Sequence, residues 1–568
     1  MNIVLTNPAG FFALLGIPAV ILIHFLQRQA KVLPVSTLFL LAHTQRESVS
    51  GRRFDRLTNS VPLWLQILMV LLLTWLLVLP RYIKPNSTQQ VALVLDSSAS
   101  MSVFKDGLAD HLRAKLPELQ GNASRLQIYI FESLEDQPVI YAGEDIEEAL
   151  ASLESWSPSS GLIDPDDSLR LARSRVNREG ILIYVTDSST GDLPFDANSL
   201  SIGEPRSNIG FTGLAFDTTG NVVRWKALLR NYSKSRQTRS WRVTFPDGSS
   251  SQPREITLEE NSITTISSTF PSDVTRLQVR ITADDFPLDD VLHIVKPRPK
   301  TLLFFQELTG KYKPIGEKFS RFRNIEATSD LSQADLSLVT YDPLQPSLPS
   351  GSGVIMVTEA AKGGNYLRGQ IVAEKHPLMD GVNWQPLKAR DSIQIQLNEN
   401  DTILLWQGDR PMIALRTSVT PLTGERDEPQ RIQQLIFNFD LTLSNAEQLE
   451  CTALLLHRFT EDLRKRKIAS ESLNTEVGQP IQIAFRSNSE SPPLTLTRFG
   501  SDHQAAEEGP LTIPVAQASF LKAPRTPGFF RINQGNELLL ESGCHFADTR
   551  EADLLNCLSE ERLSTLGG

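Results

Sequence analysis

An uncharged apolar run at residues 61–80, VPLWLQILMVLLLTWLLVLP, constrains the fold of this chain most strongly. A helix needs about 20 mostly apolar residues to cross a bilayer. A second run at residues 9–26, AGFFALLGIPAVILIHFL, also qualifies, although less well. The rival interpretation of this earlier run is a cleaved signal peptide, but no Lys or Arg precedes it and no A-x-A site follows. The sequence therefore predicts two transmembrane helices, at about 9–26 and 61–80.

The segment between the two runs predicts the orientation of the chain. Its charged residues are mostly basic: Arg28, Lys31, Arg46, Arg52, Arg53 and Arg56 against Glu47 and Asp55. Short loops rich in Lys and Arg stay on the cytoplasmic side. We therefore expect residues 1–86 to form a multi-pass anchor in a bacterial inner (plasma) membrane, with everything after residue 80 in the periplasm.

Composition limits the classes of partner and site. At 568 residues the chain has room for several domains. Its net charge of -10 argues against nucleic acid as the main partner. Cys451, Cys544 and Cys557 form no CxxC pair and no His lies at ligand spacing, which argues against a zinc site. Whether two of these cysteines form a disulfide stays open at this stage.

Two acidic residues follow two predicted buried strands. The run VALVL at residues 91–95 leads into Asp96-x-Ser98-x-Ser100, and ILIYVT at residues 181–186 leads into Asp187. A middle strand at residues 126–131 and a helix at 165–176 give strand–helix alternation, which is typical of a doubly wound parallel sheet. Such sheets place ligands outside the carboxyl ends of their strands, so we expect Asp96 and Asp187 to meet at one edge.

Carboxylate and hydroxyl oxygens are the ligands that hard cations prefer. The sequence therefore predicts a site for Mg²⁺ or another divalent cation at Asp96, Ser98, Ser100 and Asp187. The alternative is that Asp96 and Ser98 only satisfy a turn and cap the helix that follows.

These residues carry a family resemblance. LVLDSSASMS followed by YVTDSS resembles a von Willebrand factor A domain with its metal-ion-dependent adhesion site, or MIDAS. The leader NPAGFFALLGIPAVILIHFLQRQAKVLPVSTLFLL resembles the BatA-type aerotolerance regulator membrane proteins. The resemblance covers residues 1–205 and implies a Rossmann-like A domain at residues 87–207. It also implies a MoxR-type AAA+ ATPase and sibling A-domain proteins as partners.

The chain departs from this family pattern at one ligand. The family has a Thr in a middle loop as a third direct metal ligand, and the matching position here is Ile163. Ser159, Ser160 or Asp164 lie nearby as substitutes, but their spacing is wrong by a few residues. The resemblance therefore implies a partly degenerate adhesion site.

The sequence pattern of the remaining chain predicts three further structural regions. Residues 208–298 read as β-structure, and NVVRWKALLRNYS resembles the opening of an immunoglobulin-like module. Residues 299–470 alternate strands and helices, with a closing helix at 444–467, and resemble a class I glutamine-amidotransferase-like α/β domain. Residues 471–568 are predicted to be β-rich, with strands near 480–486, 494–497 and 537–540.

The amidotransferase-like region is predicted to be catalytically dead. An active member needs a cysteine nucleophile on a tight strand-to-helix elbow, with a His as base. The elbow position here reads Glu359-Ala360-Ala361, and Cys451 lies in a helical run with only His457 near it. His376 is predicted to lie in a structural turn.

We therefore expect no enzyme. The predicted function is a membrane-anchored interaction or scaffold protein in envelope complex assembly or stress tolerance. The alternatives are a small-ligand sensor, with a metabolite at the switch point of the second α/β domain, and an amidotransferase-like hydrolase.

Overall fold

The computed structural model describes residues 3–5, 7–26, 61–82, 84–134, 139–220, 222–308, 310–341, 348–358, 364–419, 431–488, 491–500 and 509–562. These residues form a helical hairpin followed by several separate sheets with few helices, as the multidomain prediction required. The helices are α1 (Gly16–Leu26), α2 (Val61–Val78), α3 (Lys105–Gln120), α4 (Ile146–Ser152), α5 (Asp166–Arg175), α6 (Lys313–Phe319) and α7 (Glu450–Arg466).

The N-terminal hairpin is apolar on nearly all sides. A 3₁₀ helix at Pro8–Leu15 continues into α1, and both pack against α2. Within the described part of the chain, α2 is the helix with the length and composition of a membrane span, with a mean hydropathy of 2.3. The apolar stretch Pro8–His24 is shorter, so the first of the two predicted spans stays a prediction. The basic loop lies outside the described residues.

The two ends of the hairpin are tied together. Strand β1 (Ile3–Leu5) pairs antiparallel with β2 (Pro80–Tyr82). The N-terminus and the chain that follows α2 therefore lie at the same end, as the predicted orientation requires. A Cβ on Gly10 would lie 2.7 Å from the backbone of Leu77 and Val78, so only glycine permits this approach.

A Gly10→Ile substitution is expected to separate the hairpin helices. A Cβ on Gly16 would lie 4.0 Å from the Cβ of Val70, which is a normal separation for a disulfide. A Gly16→Cys/Val70→Cys pair should therefore cross-link in the native background and fail to do so with Gly10→Ile. Gly107→Ile is the control, because a Cβ at Gly107 meets nothing within 4 Å. Equal cross-linking in all three backgrounds would contradict the packing.

The first sheet after the hairpin is mostly parallel. Its strands are β3 (Lys84–Leu95), β4 (Ala123–Glu132), β5 (Tyr141–Gly143), β6 (Ile181–Thr186), β7 (Asn198–Ser201) and β28 (Glu560–Arg562), in the order β28-β7-β6-β3-β4-β5. β4, β3, β6 and β7 run parallel, and the two edge strands run antiparallel. The strands predicted at 91–95, 126–131 and 181–186 are confirmed.

Helices cover both faces of this first sheet. α3 buries Leu108, Leu112, Leu116 and Leu119, which recur at helical spacing, against one face. Leu169 and Ala172 of α5 pack on the other face. Since β3 and β6 are paired in parallel with Leu95 opposite Val185, the loops that follow them leave from the same edge.

Residues 209–295 form two facing antiparallel sheets. The strands are β8 (Ile209–Thr219), β9 (Val222–Asn231), β10 (Gln237–Thr244), β11 (Arg254–Leu258), β12 (Ile263–Thr269), β13 (Arg276–Ile281) and β14 (Val291–Val295). Their order is β11-β10-β13-β14 in one sheet and β12-β9-β8 in the other. Trp225 and Trp241 meet edge to face in the shared core, with ring centroids 6.1 Å apart.

The second α/β region has a mixed sheet. Its strands are β15 (Leu302–Glu307), β16 (Ile325–Thr328), β17 (Leu336–Tyr341), β18 (Gly353–Val357), β19 (Ile371–Ala373), β20 (Thr402–Gln407), β21 (Arg410–Val419) and β22 (Arg431–Phe437), in the order β16-β15-β17-β18-β22-β21-β20-β19. The closing helix predicted at 444–467 begins only at Glu450. The Asn445 amide donates to the carbonyl of Pro386, and its side-chain oxygen accepts from the N–H of Lys388, which holds the preceding turn out of the helix.

The C-terminal sheet packs beside β14 of the four-stranded sheet. Its strands are β23 (Glu471–Glu476), β24 (Leu494–Phe499), β25 (Leu511–Ile513), β26 (Gly528–Gln534) and β27 (Glu537–His545). The strand predicted at 480–486 is wrong, since within the described residues this segment forms a single bridge at Pro480 and no ladder. Asn474 joins the two units, because its amide group both donates to and accepts from the backbone of Val295 at 2.8 Å.

Two histidines lie between these units, His545 buried and His293 half-buried. Burial lowers the pKa of His293 to about 3 and that of His545 to about 4, and Arg280 lowers that of His293 further. Neither Nδ1 has a hydrogen-bond partner among the described residues. The folded state therefore binds fewer protons than the unfolded chain below about pH 6.5.

The interface should lose stability as the pH falls from about 6.5 toward these lowered pKa values. At pH 5 we expect each histidine to cost about 2 kcal/mol of unfolding free energy relative to pH 7.5. Hydrogen exchange of β27 amides at the two pH values measures this loss. A His545→Gln variant should show a smaller loss, whereas the exposed His111→Gln should match the native chain. An unchanged pH response in His545→Gln would contradict the assignment.

Candidate metal and partner-binding site

Asp96 is held in place at the end of β3. Its backbone N–H donates to the carbonyl of Val185, and its side chain is 7% exposed. One carboxylate oxygen accepts from the backbone N–H of Ser98 at 3.0 Å, and the other accepts from the hydroxyl of Thr186 at 2.7 Å. The carboxylate therefore points into the space between the loops that follow β3 and β6.

The two serines of the motif are buried beside each other. The hydroxyl oxygens of Ser98 and Ser100 are 3.3 Å apart. Asp96 accepts a hydrogen bond from the backbone N–H of Ser98 within the turn, as the alternative interpretation expects. However, Ser98 precedes the 3₁₀ turn at Ala99–Val103 without making a side-chain capping hydrogen bond. Capping therefore does not account for the Ser98 hydroxyl.

Asp187 completes the predicted set at the end of β6. It is 3% exposed, and its Oδ2 has no hydrogen-bond partner within the described part of the chain. Burial raises the pKa of Asp187 to about 6, a hydrogen bond from Ser100 acts against this rise, and the charge of Asp96 adds to it. The structure thus brings all four predicted residues to one edge of the sheet.

A carboxylate that the sequence analysis did not assign joins this set. Glu551 accepts a hydrogen bond from the Ser100 hydroxyl at 2.8 Å and is 6% exposed. Burial raises the pKa of Glu551 to about 7, with the charges of Asp96 and Asp187 adding to the rise against a hydrogen bond from Ser100. Glu551 lies in the acidic segment FADTREADLL, but nothing local in that sequence indicates where it folds back.

The segment 546–562 covers the carboxyl edge of the first sheet. The N–H of Leu558 donates to the carbonyl of Asp187 at 2.8 Å, and the last strand, β28, extends the sheet beside β7. Phe546 and Leu554 pack in a small core with Phe286. The side-chain amide of Asn208 donates to the carbonyl of Ala552 at 2.9 Å. The first domain is therefore not limited to residues 87–207.

The middle loop supplies backbone contacts to the motif. The carbonyl of Ser97 accepts from the N–H groups of Ser159 and Ser160, and the carbonyl of Ser160 accepts from Ala99. Ile163 is half-buried. Asp164 is exposed and accepts from the N–H of Asp166 at the start of α5. Of the three possible substitutes, Ser159 and Ser160 therefore lie beside the motif, and Asp164 is committed to α5.

The donor set suits a hard cation only when hydroxyls are included. Among the residues that the structure describes, no group of three or more His, Cys, Asp or Glu side chains could hold a metal ion by itself. The set here combines three carboxylates with two serine hydroxyls, and Asp187 leaves one buried oxygen unpartnered. Oxygen donors of this kind match Mg²⁺, Mn²⁺ or Ca²⁺ rather than zinc.

The residues considered for amidotransferase chemistry lie apart from this edge. Cys451 is buried on α7, and burial raises the pKa of its thiol, which favours the unreactive form. His376 lies in a turn and accepts from the N–H of Leu378, as predicted. The elbow position at 359–361 lies outside the described residues. Cys451, Cys544 and Cys557 are all free and buried.

A cleft of about 530 Å³ lies in the second α/β region. His376, Arg431, His457, Arg458 and Glu461 are among the residues that line it. Arg431 begins β22, so the cleft lies at the amino end of this strand. The ligand predicted for a switch point would bind at the carboxyl ends instead.

Two family models match parts of the chain. Residues 1–80 match the aerotolerance regulator N-terminal family, BatA, and residues 209–293 match a domain of unknown function, DUF7407. The second match coincides with the two facing sheets. No curated protein sequence matches the chain.

The similar solved structures are distant. A calcium-binding mutant of β-glucuronidase 2 from Bacteroides uniformis is 8% identical with a TM-score of 0.12, over 26% of this chain and 23% of that one. The open form of the pilus adhesin SpaC from Lactobacillus rhamnosus GG is 9% identical with a TM-score of 0.16, over 80% and 64% of the two chains. The chain thus spans 23% of the length of the first structure, and values this low establish no shared fold or function.

The match at residues 1–80 covers the same leader that carried the resemblance, and α2 within it has the length and apolar composition of a membrane span. Residues 1–80 therefore form an N-terminal region of the BatA-type aerotolerance regulator family, and this family match concerns that region of the chain.

Proposed function

We propose that this chain is a membrane-anchored scaffold whose first domain, of the von Willebrand factor A type, binds a divalent cation and uses it in protein recognition. One observation carries the proposal. Asp96, Ser98, Ser100 and Asp187 come from two separate loops, yet they converge at one buried edge where Asp187 Oδ2 has no partner among the described residues. Buried polar groups are usually satisfied, so this oxygen favours a ligand.

Electrostatics favour a cation at this edge. The groups that lower the pKa values of Asp187 and Glu551 are hydroxyl, thiol and backbone donors. Several carboxylates buried together repel one another unless a positive charge compensates them. A bound Mg²⁺ would supply that charge, with Asp96 and Asp187 as carboxylate ligands and Ser98 and Ser100 as hydroxyl ligands.

A Mn²⁺ titration of the full chain in detergent tests the proposal. Electron paramagnetic resonance should detect one bound ion in the native chain, and Asp96→Ala should weaken its binding by more than about a hundredfold, because a direct ligand is lost. Asp164→Asn is the control, since Asp164 is exposed and bonded to the start of α5. Absence of binding in the native chain, or equal binding in Asp96→Ala, would overturn the metal site.

The partners remain proposals drawn from the family resemblance. We infer a MoxR-type ATPase on the cytoplasmic side and sibling A-domain proteins on the other side of the membrane. The basic residues between Arg28 and Arg56 are the segment predicted to reach the ATPase. Deletion of residues 28–56 should abolish co-purification of that ATPase, while Asp96→Ala should leave it unchanged. Co-purification that survives the deletion would refute this contact.

We infer no enzymatic role for the second α/β region. The support is the buried thiol of Cys451 on α7, where burial raises its pKa. A nucleophile needs a base within hydrogen-bond reach, and the described contacts of Cys451 include no histidine. The amidotransferase-like alternative would require that a Cys451→Ala variant lose a glutaminase activity present in the native chain.

A further inference from the structure

We propose that α2 pairs inside the membrane with α2 of a second copy of this chain. The contact is a stripe of four residues on the outer surface of the helical hairpin: Gln66, Met69, Leu73 and Leu76. The side-chain amide of Gln66 supplies the hydrogen bonds of the pair. This inference rests on the membrane anchor of the proposed function and does not depend on the cation site.

The first step is an amide without a hydrogen-bond partner. Gln66 lies five residues after Val61 in the uncharged helix α2, about 7.5 Å along the helix axis. It is exposed and forms no hydrogen bond with the residues that the structure describes. Thr74 differs, because its hydroxyl donates to the carbonyl of Val70 in the same helix at 2.8 Å. Hydrocarbon contains no water to satisfy the Gln66 amide, which therefore favours contact with another helix.

The second step is the surface around this amide. The four stripe residues follow one another at spacings of three, four and three, which are the a and d positions of two helices that pack side by side. Met69 is 72% exposed, Leu73 48% and Leu76 67%, so the hairpin leaves this stripe uncovered. The α2 residues that the hairpin buries lie on a different side of the helix: Leu63, Thr74 and Val78.

The third step is the identity of the second helix. A glutamine amide carries both a donor and an acceptor, so two such amides can bond each other reciprocally. Two copies of one chain share their orientation in the membrane, which places both Gln66 residues at the same depth in a parallel pair. A two-fold symmetric contact requires a surface that is complementary to itself in this way. The stripe is therefore matched by a second copy without any further sequence.

The apolar stripe residues do not suffice for this pairing. Leu and Met side chains gain little by leaving lipid tails, which are equally apolar. Association then depends on van der Waals packing together with interhelical hydrogen bonds, and Gln66 is the stripe residue that can form them. A single polar residue at an a position also fixes the register of two paired helices. Gln66 should therefore determine both the strength and the register of the pair.

The experiment measures dimerisation of the full chain in liposomes over a range of lipid-to-protein ratios. Energy transfer between donor-labelled and acceptor-labelled copies gives the dimerisation constant. Gln66→Leu should lower this constant by about fivefold to thirtyfold, since the interhelical hydrogen bonds are lost. Gln66→Asn keeps an amide and should dimerise more strongly than Gln66→Leu.

Two leucine variants form a matched pair for the stripe. Leu76→Ala removes packing within the stripe and should weaken dimerisation. Leu68→Ala is the control, because Leu68 is also exposed on α2 but lies outside the stripe. Under oxidation, Leu73→Cys should give a disulfide-linked dimer, whereas Leu68→Cys should not. The native cysteines are buried and should contribute little to this cross-linking.

The outcomes separate this inference from the proposed function. A native chain that stays monomeric at every ratio, or a Gln66→Leu variant with the native constant, would overturn the pairing. Should Gln66→Leu fail to insert, equal constants for Leu76→Ala and Leu68→Ala would overturn it instead. Either result leaves the cation site intact, because Gln66→Leu should bind Mn²⁺ as the native chain does. If an alkaline wash releases the native chain from liposomes, the membrane anchor itself fails and the pairing fails with it.

Discussion

An Asp187→Asn variant should bind Mn²⁺ more than about a hundredfold more weakly than the native chain. When no cation is present, its first sheet should nevertheless be more stable than that of the native chain. The carboxylate is buried beside Asp96 and Glu551, so its charge opposes folding in the cation-free chain. The neutral amide is of similar size and can still accept from Ser100. We expect the local free energy of unfolding to rise by about 1–3 kcal/mol.

Two measurements on the same protein check this pair of effects. Paramagnetic resonance gives the Mn²⁺ affinity, and hydrogen exchange of β6 amides in chelator gives the local stability. Asp192→Asn is the control, because Asp192 is exposed in the loop that follows. If Asp187→Asn lowers stability in chelator, the carboxylate serves the fold through its hydrogen bonds, and the proposed cation role loses its support.

A Gly210→Ala substitution should destabilise the two facing sheets by about 3 kcal/mol or more. A Cβ on Gly210 would lie 1.8 Å from Oδ2 of Asp289, a carboxylate that is fully enclosed and accepts from the Asn208 amide at 2.8 Å. The added methyl must therefore displace a buried hydrogen-bonded group rather than the end of a flexible chain. Since Asn208 also donates to Ala552, we expect faster hydrogen exchange in residues 550–558 as well.

Gly213→Ala is the matched control for this experiment. Gly213 lies on the same strand, β8, and the nearest atom to its Cβ would be the end of the Leu228 side chain, at 3.3 Å. Hydrogen exchange of β8, β9 and residues 550–558 reports both effects in one measurement. Equal exchange in the two variants would show that Asp289 can move aside, and it would remove the link between the facing sheets and the C-terminal segment.

Local patterns were sufficient for the two buried strands that precede Asp96 and Asp187 and for the edge of the sheet at which these residues lie. The runs at 91–95 and 181–186 are continuous, apolar and followed by Asp, and parallel pairing then brings Asp96 and Asp187 to one edge. Such patterns depend on neighbours within a few residues, which a single sequence contains. The start of α7 and the missing strand at 480–486 were mispredicted because side-chain and backbone contacts from distant segments decided them.

Hydropathy and strand periodicity, which are local properties, were enough to predict the apolar helix at Val61–Val78, the order of the α/β and β-rich regions, and the oxygen-bearing motif after β3. Only the tertiary structure decided that Glu551, 451 residues from Ser100, lies against that motif, and that glycine is required at positions 10 and 210. The physical reason is that such contacts are set by chain folding over long separations, where steric fit and buried charge act between segments that share no local pattern.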